Sequence, residues 1–235
     1  MKKIKTQIYA DGADYDSIID LNKKKIIKGF TTNPSLMKKS GVKNYKQFCI
    51  KVLKKIKNKP ISFEVFSDTN KKIIAQSNII SSWGKNVFVK IPIQNSNGKD
   101  LSDLILGLNS RGIKINVTAI FTFEQVKKII NKVDRKSEVI LSVFAGRIAD
   151  TGEDPEPIVK KIANYSKSKK NIKILWASSR EIFNYYQANR CNCHIITLGK
   201  DLINKLKYKN KNLKLFSKET SQMFIQDAKK AGYNL

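Results

Sequence analysis

The stretch Val87-Phe88-Val89-Lys90-Ile91-Pro92 decides how the rest of this chain is interpreted. Its β-branched and aromatic residues are typical of a strand that is buried on both faces. Because Pro92 has no amide hydrogen for a sheet ladder, we expect the strand to end there. Lys90 therefore lies at the carboxyl end of a hydrophobic strand, where loss of hydration favours a neutral, nucleophilic amine. The structural alternative is a lysine that reaches water or pairs with a carboxylate.

Short apolar runs alternate with longer amphipathic stretches on both sides of this strand. Eight strands are predicted, at residues 6–10, 26–31, 61–65, 86–91, 113–118, 138–144, 172–177 and 194–198. Strands that alternate with helices favour a parallel sheet with right-handed crossovers. Eight such units in 235 residues fit a closed α/β fold, the (β/α)8 TIM barrel, as a single domain over residues 1–235. A further amphipathic helix is predicted at residues 218–231, after the barrel.

The alternative fold is an open, doubly wound sheet. That fold usually has a glycine-rich first turn that binds a phosphate. The first turn here is Asp11-Gly12-Ala13-Asp14, which is not such a loop. The closed barrel is therefore the preferred fold class.

Composition and charge narrow the classes of partner. The formal net charge is +27, but the lysines are scattered along the whole chain and no nucleic-acid-binding motif accompanies them. We therefore expect no nucleic acid as a partner. No run of 18 apolar residues exists, so we expect no membrane partner. The N-terminus lacks the apolar core of a secretory signal, and three cysteines in a chain of this length favour reduced thiols in the cytoplasm.

Polar residues recur at the predicted carboxyl ends of the strands, where barrels of this kind carry their chemistry. A lysine among carboxylates, amides and hydroxyls is the combination that imine chemistry requires. Two arginines near late strands match the position where such barrels commonly bind phosphate. Each residue also has a structural alternative, such as a helix cap, a turn, an ion pair or a surface charge. The residues are Asp11, Asn33, Glu64, Lys90, Asn116, Thr118, Ser142, Arg147, Ser178 and Arg180.

Cysteine and histidine also come close together, in Cys191-Asn192-Cys193-His194. No fourth ligand follows at a spacing that metals use, and His194 is the single histidine of the chain. We therefore predict no metal site here.

Six segments in this order resemble those of the transaldolases, which are class I (Schiff-base) aldolases with a (β/α)8 barrel, and of the related small fructose-6-phosphate aldolases. The resemblance covers nearly the whole chain, and the second and third segments are specific when they occur together. The segments are Ala10-Asp11-Gly12-Ala13-Asp14, Gly29-Phe30-Thr31-Thr32-Asn33-Pro34-Ser35-Leu36, Val89-Lys90-Ile91-Pro92, Asn116-Val117-Thr118, Phe144-Ala145-Gly146-Arg147 and Ala177-Ser178-Ser179-Arg180.

The resemblance implies a role for each matched residue. Lys90 would form the Schiff base, and Asp11 would move the proton of the substrate hydroxyl during carbon–carbon cleavage. Glu64 and Thr118 would hold and activate water. The ketose hydroxyls would be bound by Asn33, Asn116 and Ser142, with Phe144 among the substrate-binding residues, and the phosphate by Arg147, Ser178 and Arg180.

The function implied is transfer of a three-carbon dihydroxyacetone unit between sugar phosphates in the pentose phosphate pathway. No metal or organic cofactor is implied, and we expect a homo-oligomer. The alternatives are an aldolase that releases dihydroxyacetone, a transferase for another sugar, and a basic barrel that binds nucleic acid without catalysis. Relatives of the aldolase type tend to have Gln at the position of Glu64 and Tyr at that of Phe144, so both positions favour the transferase.

Overall fold

Eight parallel strands close into a barrel in the computed structural model, which describes residues 4–134 and 137–234. Each strand pairs with the next along the chain, and β8 pairs with β1. This confirms the predicted (β/α)8 barrel, because an open sheet would leave two edge strands. The strands are β1 Gln7–Asp11, β2 Ile27–Thr31, β3 Ile61–Glu64, β4 Val87–Pro92, β5 Ile115–Ile120, β6 Val139–Val143, β7 Ile172–Trp176 and β8 Ile195–Gly199.

Several of the helices between the strands begin where a short polar side chain caps them. Asp14 accepts a hydrogen bond from the Ser17 amide at 2.9 Å, and Thr122 forms a capping box with Gln125. The helices are α1 Tyr15–Lys23, α2 Pro34–Lys39, α3 Tyr45–Leu53, α4 Asn70–Ser81, α5 Ser102–Ser110, α6 Phe123–Lys132, α7 Ala145–Ala149, α8 Glu156–Tyr165, α9 Phe183–Arg190, α10 Lys200–Lys205 and α11 Leu213–Lys230.

The barrel interior is filled by a cluster of buried side chains from several strands. Tyr9 is its largest member, and Gly29 on the neighbouring strand makes room for the Tyr9 ring. A Cβ atom at Gly29 would lie 2.5 Å from Cζ of Tyr9, which no side chain could tolerate. The cluster comprises Tyr9, Phe88, Ile140, Leu175, Ala177 and Ile195, with Phe144 packed against it.

The chain divides into two compact units, one that ends at Ile203 and one that begins at Asn204. The second unit contains α11, the predicted additional C-terminal helix, which starts five residues before the predicted start because Asn212 caps it by accepting from the Leu215 amide at 3.1 Å. The ring of Tyr208 stacks on that of Phe216, with 5.2 Å between the ring centroids. A single domain over residues 1–235 stays a prediction.

No helix within the described residues has both the length and the apolar character needed to cross a membrane. The cytoplasmic location and the homo-oligomer predicted above stay predictions.

Candidate active site

The carboxyl ends of the strands surround a cavity of about 100 Å³. Because all eight strands are parallel, the last residues of each strand meet at this one end of the barrel. The cavity is lined by Asp11, Thr31, Asn33, Lys90, Thr118, Ser142, Phe144, Arg147, Leu175, Ala177, Ser178 and Thr197. Eight of the eleven predicted site residues are in this wall, and the other three (Glu64, Asn116 and Arg180) lie outside it.

Lys90 is the most completely enclosed charged side chain of the wall, with 6% of its surface exposed. Its Nζ lies 2.9 Å from Oε2 of Glu64 and donates a hydrogen bond to the Thr32 carbonyl oxygen at 3.2 Å. The pairing of β3 with β4 sets Glu64 directly beside Lys90, so both side chains leave the sheet on the same face. The amine therefore has a carboxylate partner and also faces the cavity, which unites two interpretations that the sequence left as alternatives.

Asp11 supplies a second carboxylate at the wall. Its Oδ1 accepts a hydrogen bond from Oγ1 of Thr31 at 2.8 Å, because the two residues are paired in the sheet. Burial raises the pKa of Asp11 above its ordinary value of 3.8, while the charge of Lys90 and the Thr31 hydrogen bond lower it in part. Asp11 is therefore poised to exchange a proton closer to neutral pH than an exposed aspartate would.

A buried hydrogen-bond chain runs beneath the wall and joins residues of β6, β5 and β3. Ser142 donates to Oδ1 of Asn116 at 2.6 Å, and Nδ2 of Asn116 donates to Oγ of Ser62 at 3.0 Å. Asn116 is thereby held in one orientation behind Ser142. Nearby in the wall, Oγ1 of Thr118 is fully buried and has no hydrogen-bond partner within the described residues. An unpaired hydroxyl in such a place is available to a substrate or water.

Asn33 combines a structural contact with a place in the wall. Its Oδ1 accepts from the Leu36 amide at 2.8 Å and caps α2, and Pro34 occupies the first turn of that helix. The cap fixes the side chain and leaves its amide nitrogen, a donor, free of that contact.

The two predicted arginines have different surroundings. Arg147 lines the cavity, with its guanidinium carbon 5.5 Å from the centre of the Phe144 ring. Arg180 forms a two-point ion pair with Asp150, including a contact from Nε to Oδ1 at 3.1 Å. Ser178, in the cavity wall, has a φ angle of +63°, in the left-handed region that non-glycine residues seldom adopt.

Gly146 sets the distance between the segments that carry these groups. Its amide donates to the Ala177 carbonyl oxygen at 3.3 Å, and a Cβ atom at this position would lie 1.6 Å from the Ser178 carbonyl oxygen. Only a residue without a side chain allows α7 to approach the β7 end this closely.

Sequence reasoning did not assign a role to Ser62 or Asp150. Ser62 precedes Glu64 by two residues in β3, and the two-residue period of a strand was a usable signal that both face inward. Asp150 gave no such signal, because its ion pair joins residues 30 positions apart.

Comparison with known proteins places the chain among characterised folds and families. The model of the family described as Transaldolase/Fructose-6-phosphate aldolase matches residues 8–235. A protein of Thermoanaerobacter sp. (strain X514), named probable transaldolase, is 31% identical over 82% of this chain and 85% of its own length. A probable transaldolase of Clostridioides difficile (strain 630) is 30% identical over 85% of this chain and 88% of its own length.

Solved structures resemble the chain in fold alone. The tryptophan synthase alpha subunit of Campylobacter jejuni superimposes with a TM-score of 0.56 at 14% identity, over 93% of this chain and 94% of that one. A mandelate oxidase mutant with an FMN adduct gives a TM-score of 0.56 at 10% identity, and the chain covers 65% of its length. The family match spans nearly the whole sequence and reaches every strand of the barrel. The chain belongs to the transaldolase/fructose-6-phosphate aldolase family.

Proposed function

We propose that this protein is a transaldolase that moves a three-carbon dihydroxyacetone unit between sugar phosphates through a Schiff base on Lys90. The reaction would convert sedoheptulose 7-phosphate and glyceraldehyde 3-phosphate into erythrose 4-phosphate and fructose 6-phosphate. The observation that carries the proposal is the Lys90 amine, 6% exposed, facing a cavity with Asp11 and lying 2.9 Å from Glu64. Family membership and relatives named probable transaldolase support it.

The first step is imine formation at Lys90. Glu64 accepts a proton from the ammonium group across the 2.9 Å contact, and the neutral amine adds to the ketose carbonyl. The carbinolamine then loses its hydroxyl as water, which needs a proton returned by Glu64. The unpaired hydroxyl of Thr118 is a donor and acceptor for that water.

Carbon–carbon cleavage follows at the bond between the carbon that adjoins the imine carbon and the hydroxyl-bearing carbon beyond it. Asp11 removes the proton of the hydroxyl on the departing carbon, the bond electrons move into the protonated imine, and an aldose phosphate leaves. The raised pKa of Asp11 suits this task, because a stronger base near neutral pH accepts the proton more readily. The remaining three carbons stay on Lys90 as an enamine, with the imine nitrogen as electron sink and no other cofactor.

Transfer reverses these steps with a second aldose phosphate. The enamine carbon attacks the new aldehyde, Asp11 returns its proton to the new alkoxide, and water frees the ketose phosphate from Lys90. Substrate bound in this cavity of about 100 Å³ displaces water from it, and exclusion of water protects the enamine from hydrolysis before the acceptor arrives.

The phosphate would be held by Arg147, Ser178 and Arg180. Arg147 and Ser178 already line the cavity. Arg180 is paired with Asp150, so it would bind a phosphate by exchanging the carboxylate for another anionic partner that can accept two hydrogen bonds.

Borohydride trapping with fructose 6-phosphate tests the chemistry. Reduction of the imine should leave a covalent three-carbon adduct on Lys90, located by peptide mass spectrometry. The matched control is Lys99→Ala, because Lys99 is exposed and outside the cavity wall, and this variant should keep the adduct. An adduct that persists in Lys90→Ala, or no adduct in the unaltered protein, contradicts the Schiff-base mechanism.

Product analysis then distinguishes a transferase from an aldolase. A transaldolase forms new ketose phosphate when an acceptor aldose phosphate is present and releases little dihydroxyacetone without it. Rapid release of free dihydroxyacetone in the absence of an acceptor would refute the transferase assignment and leave the Schiff base intact.

A further inference from the structure

A second, larger cavity of about 1190 Å³ lies at the amino-terminal ends of the barrel strands. Its lining includes Gln7 at the start of β1, Phe88 near the start of β4 and Ile195 at the start of β8. It is therefore at the opposite end of the strands from Lys90. Its volume exceeds the usual range of small-molecule sites, roughly 300–1,000 Å³, so a small ligand would occupy part of it.

The floor of this lower cavity is apolar. Tyr9, Phe88, Ile140 and Ile195 line it, and each has 5% or less of its surface exposed. These four residues belong to the buried cluster that also contains two residues of the upper cavity wall. Residues of this one buried cluster thus line both cavities, and the lower cavity offers an apolar surface to the body of a ligand.

The Tyr9 hydroxyl is an unpaired polar group on this floor. Only 5% of the surface of Tyr9 is exposed. Within residues 4–134 and 137–234 its hydroxyl group has no hydrogen-bond partner. Burial, with a contribution from the nearby Glu138 carboxylate, raises its pKa to about 12. The group therefore stays a neutral phenol at physiological pH and presents a hydrogen-bond donor.

Cationic groups and hydrogen-bond donors line the rest of the lower cavity. Lys5 and Lys173 make no ion pair within 4.0 Å in the described part of the chain. Nδ1 of His194 accepts from the Ile174 amide at 3.0 Å, so the neutral ring carries its hydrogen on Nε2. The carboxylate of the lining, Glu138, is already paired with Lys114 at 3.0 Å. The unpaired ammonium groups and hydrogen-bond donors of the lining thus favour an anionic ligand.

We propose that the lower cavity is a binding site for a small organic anion with an apolar ring. The ring would lie on the floor formed by Tyr9 and Phe88, and the anionic group would reach Lys173 and Lys5. The ligand needs both an apolar ring and an anionic group. An inorganic anion would leave the apolar floor without a contact, and an uncharged ring would leave the lysines without a counter-charge. The site does not depend on the reaction proposed for Lys90.

Phenyl phosphate is the probe, titrated into the full chain by calorimetry. We expect saturable binding with a dissociation constant of about 1 mM or tighter, and binding of inorganic phosphate or phenol that is about tenfold weaker. Benzoate in place of phenyl phosphate shows whether a carboxylate satisfies the site equally well. Lys173→Gln should weaken phenyl phosphate binding about tenfold, because it removes a charge-assisted contact. Tyr9→Phe should weaken it as well, and it serves alone if the lysine variant does not fold.

Two control variants locate the site. Arg147→Ala alters the upper cavity and should leave phenyl phosphate binding unchanged. Lys161→Gln removes an exposed charge outside the cavity and should do the same. Loss of binding in Arg147→Ala with full binding in Lys173→Gln would overturn the proposal, because the probe would then occupy the upper cavity. Absence of saturable binding in the unaltered protein would also overturn it.

Discussion

Replacing Gly146 by alanine places a methyl group in space that the backbone of Ser178 already occupies. The new Cβ atom would lie 1.6 Å from the Ser178 carbonyl oxygen and 2.7 Å from its carbonyl carbon. A carbon and an oxygen that are not bonded normally approach to about 3.3 Å, so the two segments must separate by about 1.7 Å. Since both atoms at Ser178 are backbone, no side-chain rotation can relieve the overlap.

This separation displaces the proposed phosphate-binding groups from Lys90. Arg147 follows the substituted residue directly, and Ser178 carries the obstructed carbonyl group. Misplacement of a binding group by about 1 Å can cost about 100-fold in rate, so kcat/KM for fructose 6-phosphate should fall by about that factor or more. The overpacking should also lower the free energy of unfolding by about 1–3 kcal/mol.

Gly107→Ala is the matched control. Gly107 lies inside α5, and a Cβ atom there meets nothing within 4 Å. Because alanine is the better helix former, this variant should gain up to about 1 kcal/mol in unfolding free energy and keep its activity. Steady-state kinetics and urea denaturation of both variants give the measurement. A Gly146→Ala protein that is folded and has the kcat/KM of the unaltered enzyme would refute the reasoning.

Two further substitutions test the electrostatics and hydrogen bonding of the site. Asp11→Asn should raise the melting temperature at pH 7. Because burial raises the pKa of Asp11 above 3.8, ionisation of this carboxyl group destabilises the folded protein as pH rises from 3.8 through the folded-state pKa, and asparagine does not ionise. This gain in melting temperature should vanish below pH 3.8. Asp14→Asn should show no such gain, since hydrogen bonds with Ser17 lower the pKa of Asp14. A gain that does not depend on pH would contradict the argument. Ser142→Ala leaves Oδ1 of Asn116 unpaired in the barrel and should cost about 1–3 kcal/mol of unfolding free energy in urea denaturation. An effect no larger than that of the exposed Ser110→Ala, about 0.5 kcal/mol at most, would show that the chain of hydrogen bonds is not structurally important.

The strands were predictable because their signal is local. The run Val87–Pro92 was recognisable from its residue types, and the structure ends β4 at Pro92 as expected. Helix α7 was missed, because five residues are too few to show a helical period. Its importance comes instead from its fit against the Ser178 carbonyl group, a contact that is remote in sequence.

The sequence by itself determined the barrel, the end of it that carries the polar residues, and the identity of the lysine that faces the cavity. Strand period and parallel order suffice for this, since they place every strand end together. Only the tertiary structure decided which polar groups pair: Glu64 with Lys90, Thr31 with Asp11 and Asp150 with Arg180. Partners of this kind depend on sheet register and loop packing, where a shift of one residue turns a side chain to the other face. The lower cavity likewise forms where the starts of six strands (β1, β3, β4, β6, β7 and β8) come together, and no local sequence pattern connects them.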